Sequence, residues 1–166
     1  MYNQGMVPMR SNFEIYARDL NDEPFLSCFL KGGVYFCKFE KGGKVEKCSY
    51  FAPYFGQKVA YNCPGVRVGM SYIAKIQSVE YVDKGNVNKF KNLMYGHNKS
   101  FFNKKWLNNN IITVPNDLHV LKLGNPFNVF NPPIQKNRLV GGKGWLGRKY
   151  FTFEQLFEAW CSEKIK

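Results

Sequence analysis

A glycine-rich basic segment near the C-terminus holds the residues with the clearest potential for chemistry. It runs GGKGWLGRK from residue 141 to residue 149. Glycine lets the backbone approach a ligand closely and leaves amide donors free. Lysine and arginine neutralise phosphates, and a tryptophan ring can stack on a base. Two interpretations are open: a nucleic-acid contact made by Lys143, Trp145, Arg148 and Lys149, or a solvated loop whose Trp145 folds back into the core.

Aromatic side chains are concentrated between residues 50 and 55, which read YFAPYF. Rings that face one cavity hold a flat base or a methylated group by stacking and cation–π attraction. Tyr54 and Phe55 are therefore candidate ligand contacts, and the alternative is that these rings form the ordinary core. Trp106 stands beside Lys104 and Lys105, where it could close over a ligand or dock its own loop onto the body.

Three further basic residues are candidate contacts to a nucleic-acid backbone. Arg67 sits between two glycines just before a strand, and Lys136 and Arg138 lie just before the glycine-rich segment. Side chains of this type position a nucleic-acid backbone without reading its sequence. We expect them to form a basic rim.

The overall charge supports this direction. Twenty-four Lys and Arg residues face twelve Asp and Glu residues in a chain of 166 residues, a net charge of +12, and 17% of the residues are aromatic. Such a chain attracts polyanions, and the attraction weakens with salt. The predicted partner is DNA or RNA.

Signatures of enzymes are sparse. The carboxylates are scattered, and the nearest approach to a metal-binding cluster is Glu80 with Asp83, whereas a metal-dependent nuclease needs clustered acids. His97 and His119 lack a metal-ligand partner at the usual spacing. We therefore expect no catalytic residue, no metal and no cofactor. A small nuclease or other nucleic-acid-processing enzyme is the alternative.

The cysteines and the hydropathy pattern indicate a compartment. The chain has five cysteines, an odd number without CxxC spacing, namely Cys28, Cys37, Cys48, Cys63 and Cys161. The N-terminus lacks the layout of a signal peptide, so we expect reduced thiols packed in the core. No apolar run approaches the roughly 20 residues of a membrane span. The prediction is a cytoplasmic protein without a membrane partner.

The first half of the chain predicts strands and one helix. Residues 25–40 read as two short strands joined at Lys31-Gly32-Gly33, because glycine pairs suit tight hairpins. The pair Gly42-Gly43 would return the chain through residues 44–50 as a small meander. Residues 53–62 can form a short helix with proline in its first turn, and residues 70–82 form the best strand.

The second half begins with a long polar stretch, residues 84–110, which we interpret as a functional or partly disordered loop. A strand follows at residues 118–123, and a short extended piece at 127–130. Residues 136–150 form the basic loop. A helix begins near Phe153, with Thr152 and Gln155 as a capping box and with Leu156, Phe157 and Trp160 on one apolar face.

This order of elements predicts the fold class α+β: a small, curved, mostly antiparallel sheet or open β-barrel with short flanking helices and a C-terminal amphipathic helix. Residues 1–166 are expected to form a single domain. Residues 1–24 are a candidate for a partly ordered N-terminal extension.

Several short motifs carry a resemblance to a known superfamily. GVRVGM at residues 65–70 leads into SYIAKIQSVEYV, and LKLGNP at 121–126 and NPPI at 131–134 follow. This order resembles the PUA-like superfamily, in particular its EVE and ASCH branches, over roughly residues 50–160. Met70 departs from the pattern, since those families often place Asp after the glycine.

The resemblance implies a small curved β-barrel that binds RNA or modified DNA bases, and in prokaryotes many such domains are specificity modules of modification-dependent restriction systems. The resulting hypothesis is a module that recognises a base, in partnership with a separately encoded nuclease or motor subunit or within a mobile element. A protein-binding adaptor or inhibitor whose charge is incidental is the third alternative.

Overall fold

The computed structural model describes residues 14–41, 43–140 and 150–164. The strands are β1 (Ile15–Leu20), β2 (Val34–Lys38), β3 (Tyr50–Phe55), β4 (Tyr72–Val82), β5 (Leu118–Leu123), β6 (Phe127–Asn128) and β7 (Tyr150–Phe151). The helices are α1 (Glu23–Ser27), α2 (Gln57–Asn62), α3 (Val87–His97), α4 (Lys104–Asn110), α5 (Lys136–Val140) and α6 (Phe153–Lys164). A π-helical turn, Cys28–Gly32, continues α1, and a 3-10 turn spans Val45–Lys47.

The strands form one curved, open sheet in the order β2-β5-β4-β3-β1-β7, with β6 paired to β4. Adjacent strands are antiparallel except β1 and β3. Residues 72–75 of β4 pair with β3 and β6, and its remainder pairs with β5 from Ile76 onward, with a register shift inside that pairing between Ile76 and Ser78. The predicted α+β class, with a curved, mostly antiparallel sheet, flanking helices and a C-terminal helix, is confirmed.

Both faces of the central strands are buried, because successive side chains along β1 enter two different apolar clusters. Tyr16 and Leu20 point into a cluster on the inner face of the sheet, which also holds Phe51 of β3. Ile15 and Ala17 point to the opposite face, into a cluster that α6 covers. A third cluster lies beneath α3 and α4. Because β1 is paired on both sides, part of the expected N-terminal extension is integral to the sheet.

The prediction of two strands joined at Lys31-Gly32-Gly33 is wrong for the first strand. Residues 23–32 are helical, and only β2 is extended. Pro24 occupies the first turn of α1, a position that proline favours, and Gly33 ends the helical segment with φ +70°. The glycine pair is therefore a helix stop rather than a hairpin turn. Periodicity does not separate a strand from a helix in so short an apolar run.

The long polar stretch at residues 84–110 is also not a loop, since it contains α3 and α4. Its asparagines begin helices: the Asn86 side chain accepts a hydrogen bond from the Lys89 N–H (3.1 Å), and Asn103 accepts one from the Trp106 N–H (2.9 Å). Asparagine is among the best N-cap residues. Phe90 and Leu107 anchor the two helices in the third cluster.

Smaller differences concern three segments. The helix predicted from residue 53 begins at Gln57, because residues 50–55 form β3. The predicted meander at residues 44–50 contains the 3-10 turn. The first residues of the predicted basic loop, 136–140, form α5.

The strands predicted at residues 70–82 and 118–123 are confirmed as β4 and β5, and the first two residues of the extended piece predicted at 127–130 form β6. The capping box is present: the Thr152 N–H donates to Gln155 Oε1 (2.9 Å), and the Gln155 N–H donates to Thr152 Oγ1 (3.1 Å). The apolar face of α6 packs only in part, since Leu156 is buried whereas Phe157 is 57% exposed. Across residues 14–41, 43–140 and 150–164, no helix combines the length and the apolar composition that a bilayer crossing requires.

Two glycine substitutions test the packing of the helical segment before β2. A Cβ at Gly32 would lie 2.5 Å from Cζ of the buried Phe102 ring, whereas a Cβ at Gly96 meets no atom within 4 Å. We expect Gly32→Ala to lower the free energy of unfolding by about 1–3 kcal/mol, because the ring must move. Gly96→Ala, the matched control, should leave it unchanged or raise it by up to about 1 kcal/mol. Urea denaturation measures both, and equal effects would contradict the packing described here.

Candidate nucleic-acid interface

A small concavity lies where β3 ends and β4 begins. Its lining includes Phe55, Arg67, Ser71, Tyr72, Asn128 and Asn131, and its volume is about 40 Å³. We call it the Arg67 depression. None of the described residues that line it is acidic. The structure thus brings Phe55 and Arg67, two of the residues predicted from the sequence, into one site.

Gly69 holds the two sides of this depression together. Its backbone exchanges hydrogen bonds with Phe55, N–H to carbonyl in both directions at 3.0 Å. Its φ is +123°, and a Cβ there would lie 2.7 Å from the Pro133 Cβ. Glycine is required at this position because a side chain would be strained and would clash. The close approach places Arg67 before the bridge and Ser71 after it.

The segment after β6 closes the opposite wall. The Ser71 carbonyl accepts hydrogen bonds from the Val129 and Phe130 N–H groups (2.7 and 3.1 Å), and Met70 and Ile134 exchange backbone hydrogen bonds at 2.9 Å. Asn128, the last residue of β6, and Asn131, on the segment after it, both line the depression. The Asn131 amide faces Arg67, since it accepts a hydrogen bond from the guanidinium.

Arg67 is exposed, and its Nη1 donates to Asn131 Oδ1 at 3.1 Å. No carboxylate of the described residues pairs with it. A guanidinium has five N–H donors in a planar fork, so most of them remain available to a ligand. This arrangement can bind a phosphate or two acceptors on the edge of a base.

Tyr54 and Lys136 lie together on the other face of the sheet, beneath α6. The Lys136 N–H donates to the Tyr54 hydroxyl (3.0 Å), and the Lys136 ammonium lies 5.0 Å from the Tyr54 ring centroid and 3.1 Å from Asp19. Burial raises the pKa of Tyr54, although the hydrogen bond from Lys136 opposes this. Arg138 is similarly engaged, 3.7 Å from the buried Glu163. Both cations therefore have acidic partners within the fold.

The remaining predicted residues are distributed elsewhere. Phe55 is 1% exposed and packs on Phe29 and Tyr72 in the inner cluster, so it forms the base of the depression. Trp106 is half-buried against Phe101 and Phe102, with ring centroids 5.5 and 5.0 Å away, in the cluster beneath α3 and α4. Lys143, Trp145, Arg148 and Lys149 lie outside the described residues.

Arg18 is a candidate that sequence reasoning missed. It is half-buried on β1, its Nη1 donates to the Tyr16 hydroxyl at 2.8 Å, and no carboxylate of the described residues pairs with it. Burial opposes its charge, but Tyr35 and Tyr16 raise its pKa above the ordinary value. The sequence did carry a signal for this residue: in the alternating segment IYARDL, Arg18 falls on the same face as the apolar Tyr16 and Leu20.

Among the residues that the structure describes, no group of three or more His, Cys, Asp or Glu side chains could hold a metal ion. Asp83 of the pair singled out above accepts a hydrogen bond from the Asn86 amide (3.2 Å) where α3 begins. His119 is buried beside Phe39, and burial lowers its pKa although Glu46 and Glu40 oppose this.

Comparisons with known proteins identify the fold. The curved open sheet with flanking helices is consistent with the PUA-like fold that the sequence motifs implied. No family model matches the chain, and no curated protein matches it either. Among solved structures, the chain is similar to the N-terminal domain of McrB from Staphylothermus marinus, with a TM-score of 0.56 and 13% sequence identity. The match covers 91% of this chain and 94% of that one. At this level of identity, the similarity shows a shared fold.

Thiol reactivity tests the inertness of the buried cysteines. Burial, with a smaller effect of Glu23, raises the pKa of Cys28 to about 12, and burial raises that of Cys48 to about 11. Because the thiolate is the reactive form, we expect both to resist iodoacetamide at pH 8 in the folded protein and to react in urea. Half-buried Cys63 is the internal comparison. Mass spectrometry of the labelled peptides gives the result, and rapid labelling of native Cys28 would contradict it.

Proposed function

We propose that this chain is a nucleic-acid-binding module that recognises a base of DNA or RNA at the Arg67 depression. The observation that carries the proposal is an exposed arginine without a carboxylate partner among the described residues, in a concavity without acids. The chain around it has a net charge of +12. A positive surface of this kind concentrates polyanions near the site.

The fold supports the same direction. The solved neighbour is a domain of McrB, and the EVE and ASCH branches of the PUA-like superfamily, which the motifs at residues 65–82 resemble, bind RNA or modified DNA bases. We infer that this chain uses its concave side for a similar ligand, including a modified base. A separately encoded nuclease or motor subunit in the cytoplasm is the proposed partner, and the chain itself would supply recognition rather than catalysis.

The size of the depression limits how a base can be recognised. At about 40 Å³ it is much smaller than a typical small-molecule site, about 300–1,000 Å³. A base therefore lies across its mouth and presents an edge to Arg67, Asn128 and Asn131. Arginine pairs with two acceptors of guanine, and asparagine with the donor and acceptor of adenine. Such an edge is accessible in a single strand or in a flipped nucleotide.

The other candidate residues have different roles in this proposal. Phe55 supports the depression from behind, and Tyr54 anchors Lys136 rather than stacking on a ligand. Lys136 and Arg138 contact phosphates only if they give up their ion pairs with Asp19 and Glu163. They therefore contribute less to the binding free energy than their charge suggests. Lys143, Arg148 and Lys149 would hold phosphates, Trp145 would stack on a neighbouring base, and Trp106 would support a flanking surface.

Charge-removing substitutions test the proposal. We expect Arg67→Gln to weaken binding to single-stranded oligonucleotides by about 1–3 kcal/mol and to reduce the preference among bases, because it removes a bidentate contact. Lys89→Gln is the matched control, since Lys89 is exposed on α3, away from the depression's lining. It should weaken binding slightly and equally for all sequences. Fluorescence anisotropy with homopolymeric DNA and RNA, at two salt concentrations, measures both effects.

The comparison between the two variants decides the outcome. If Arg67→Gln and Lys89→Gln lose the same affinity and leave base preference unaltered, the Arg67 depression is not the reading site. If the wild-type protein shows only weak binding that does not depend on base or salt, the nucleic-acid proposal fails and the protein-binding alternative gains support. Thermal melting of each variant verifies that folding is retained.

A further inference from the structure

A larger concavity lies beside the chain that leads into β6, on the opposite side of that strand in sequence from the wall of the Arg67 depression. It is bounded by the turn before β2, the middle of β4, the end of α3 and the end of β5, and its volume is about 300 Å³. We call it the Lys31 pocket. Its lining includes Lys31, Gly33, Gln77, His97, Asn98 and Asn125. The volume is at the lower end of the range for small-molecule sites, about 300–1,000 Å³.

The wall formed by Asn98 is held by three hydrogen bonds. Its amide donates to the carbonyls of Lys31 (3.1 Å) and Gly32 (3.4 Å), and its Oδ1 accepts from the Phe101 N–H (3.1 Å). The two carbonyls end a helical segment, where they carry partial negative charge. Because both carbonyl oxygens accept hydrogen bonds from the Asn98 amide, their partial negative charge repels a bound anion less.

The opposite wall is equally fixed. The Leu123 N–H donates to the Gly33 carbonyl (2.8 Å), and the Gly124 N–H donates to the Lys75 carbonyl (2.9 Å). His97 Nε2 lies 3.0 Å from the Leu123 carbonyl oxygen, so this nitrogen carries the proton. A Cβ at Gly33 would lie 3.2 Å from that nitrogen, and the residue has φ +70°. A pocket with such walls pays little ordering entropy when a ligand binds.

Gln77 reaches the pocket because of the irregularity in β4. Ile76 is paired with Leu123 and Ser78 with Lys122, so Gln77 is an extra residue without a partner in this register. Extra residues of this kind redirect a side chain, and they often occur beside functional sites. Gln77 is exposed, and so is Asn125 across the pocket.

The lining defines the chemistry of a ligand. None of the described lining residues is acidic, Lys31 supplies an exposed cation, and Gln77 and Asn125 each offer amide donors and an acceptor. An anion joined to a planar group with mixed donors and acceptors fits this set. We propose that the Lys31 pocket binds a nucleotide, with its phosphate against Lys31 and its base edge against Gln77 and Asn125.

The nucleotide can be free or part of a strand. Pro126 lines the Lys31 pocket and Asn128 the Arg67 depression, a separation of two residues or about 7 Å along an extended chain. Phe127 lies between them and is 66% exposed, which suits stacking of a base. Occupancy by a strand rests on the proposed function, whereas binding of a free nucleotide does not.

The test follows the amide resonances of Gly33 and Gly124 in two-dimensional NMR spectra during titration with AMP, GMP, CMP or UMP, and separately with a single-stranded oligonucleotide. Inorganic phosphate and an uncharged nucleoside are the reference ligands. We expect nucleotides or the oligonucleotide to shift both resonances more than either reference does. Lys31→Gln should weaken that binding by about tenfold, the loss of one charged contact, whereas Lys89→Gln should weaken it only slightly.

The two sources of nucleotide give different results. Shifts with mononucleotides indicate a free ligand, and shifts with the oligonucleotide alone indicate a strand. The proposal is overturned if neither ligand shifts the two glycines, if inorganic phosphate shifts them equally, or if Lys31→Gln has no effect in a folded protein. Oligonucleotide binding that depends on Arg67 while both glycines stay unshifted would reject the pocket and keep the proposed function. Mononucleotide binding without oligonucleotide binding would keep the pocket and reject the proposed function.

Discussion

The hydrogen-bonding of β4 is the constraint on which the described surfaces depend. Its first residues pair with β3 and β6, and its later residues pair with β5. The partner changes between Lys75 and Ile76, and the register with β5 then shifts by one residue at Gln77. Because an extra residue bends the strand that contains it, β4 curves along its length and the sheet curves with it. The Arg67 depression forms at the start of β4 and the Lys31 pocket at the irregularity.

Glycine and asparagine connect this backbone constraint to the chemistry of the surface. Gly69 allows the chain to pass close to Pro133, and Gly33 ends a helical segment beside His97. Asparagine side chains then satisfy backbone groups that these turns expose, as Asn98 does for Lys31 and Gly32. The result is that the Arg67 depression and the Lys31 pocket have no acid among their described lining residues, on a chain of high positive charge. Recognition of an anionic, planar ligand therefore follows from backbone geometry as much as from the number of lysines.

Much of the sheet was predictable from residue patterns, and the helical connections were not. Residues 70–82 and 118–123 alternate strongly enough to identify β4 and β5, and Thr152 with Gln155 identifies the start of α6. The asparagines at 86 and 103 were interpreted as loop composition, although they cap helices whose stability comes from Phe90 and Leu107 in the core. Arg67 was a candidate from the sequence, and Arg18 could have been one from the alternation in IYARDL. Gln77 depends on an irregularity in strand pairing that the sequence alone does not reveal.

Photo-crosslinking of the wild-type protein to a single-stranded oligonucleotide, followed by mass-spectrometric mapping of the linked residues, tests the central claim most directly. Residues 65–72 and 126–131 form the lining and rim of the Arg67 depression. We predict crosslinks within these two segments, with Tyr72 or Phe127 as the linked ring. Crosslinks confined to α3 and α4, with both segments unmodified, would show that nucleic acid binds another surface and would contradict the account.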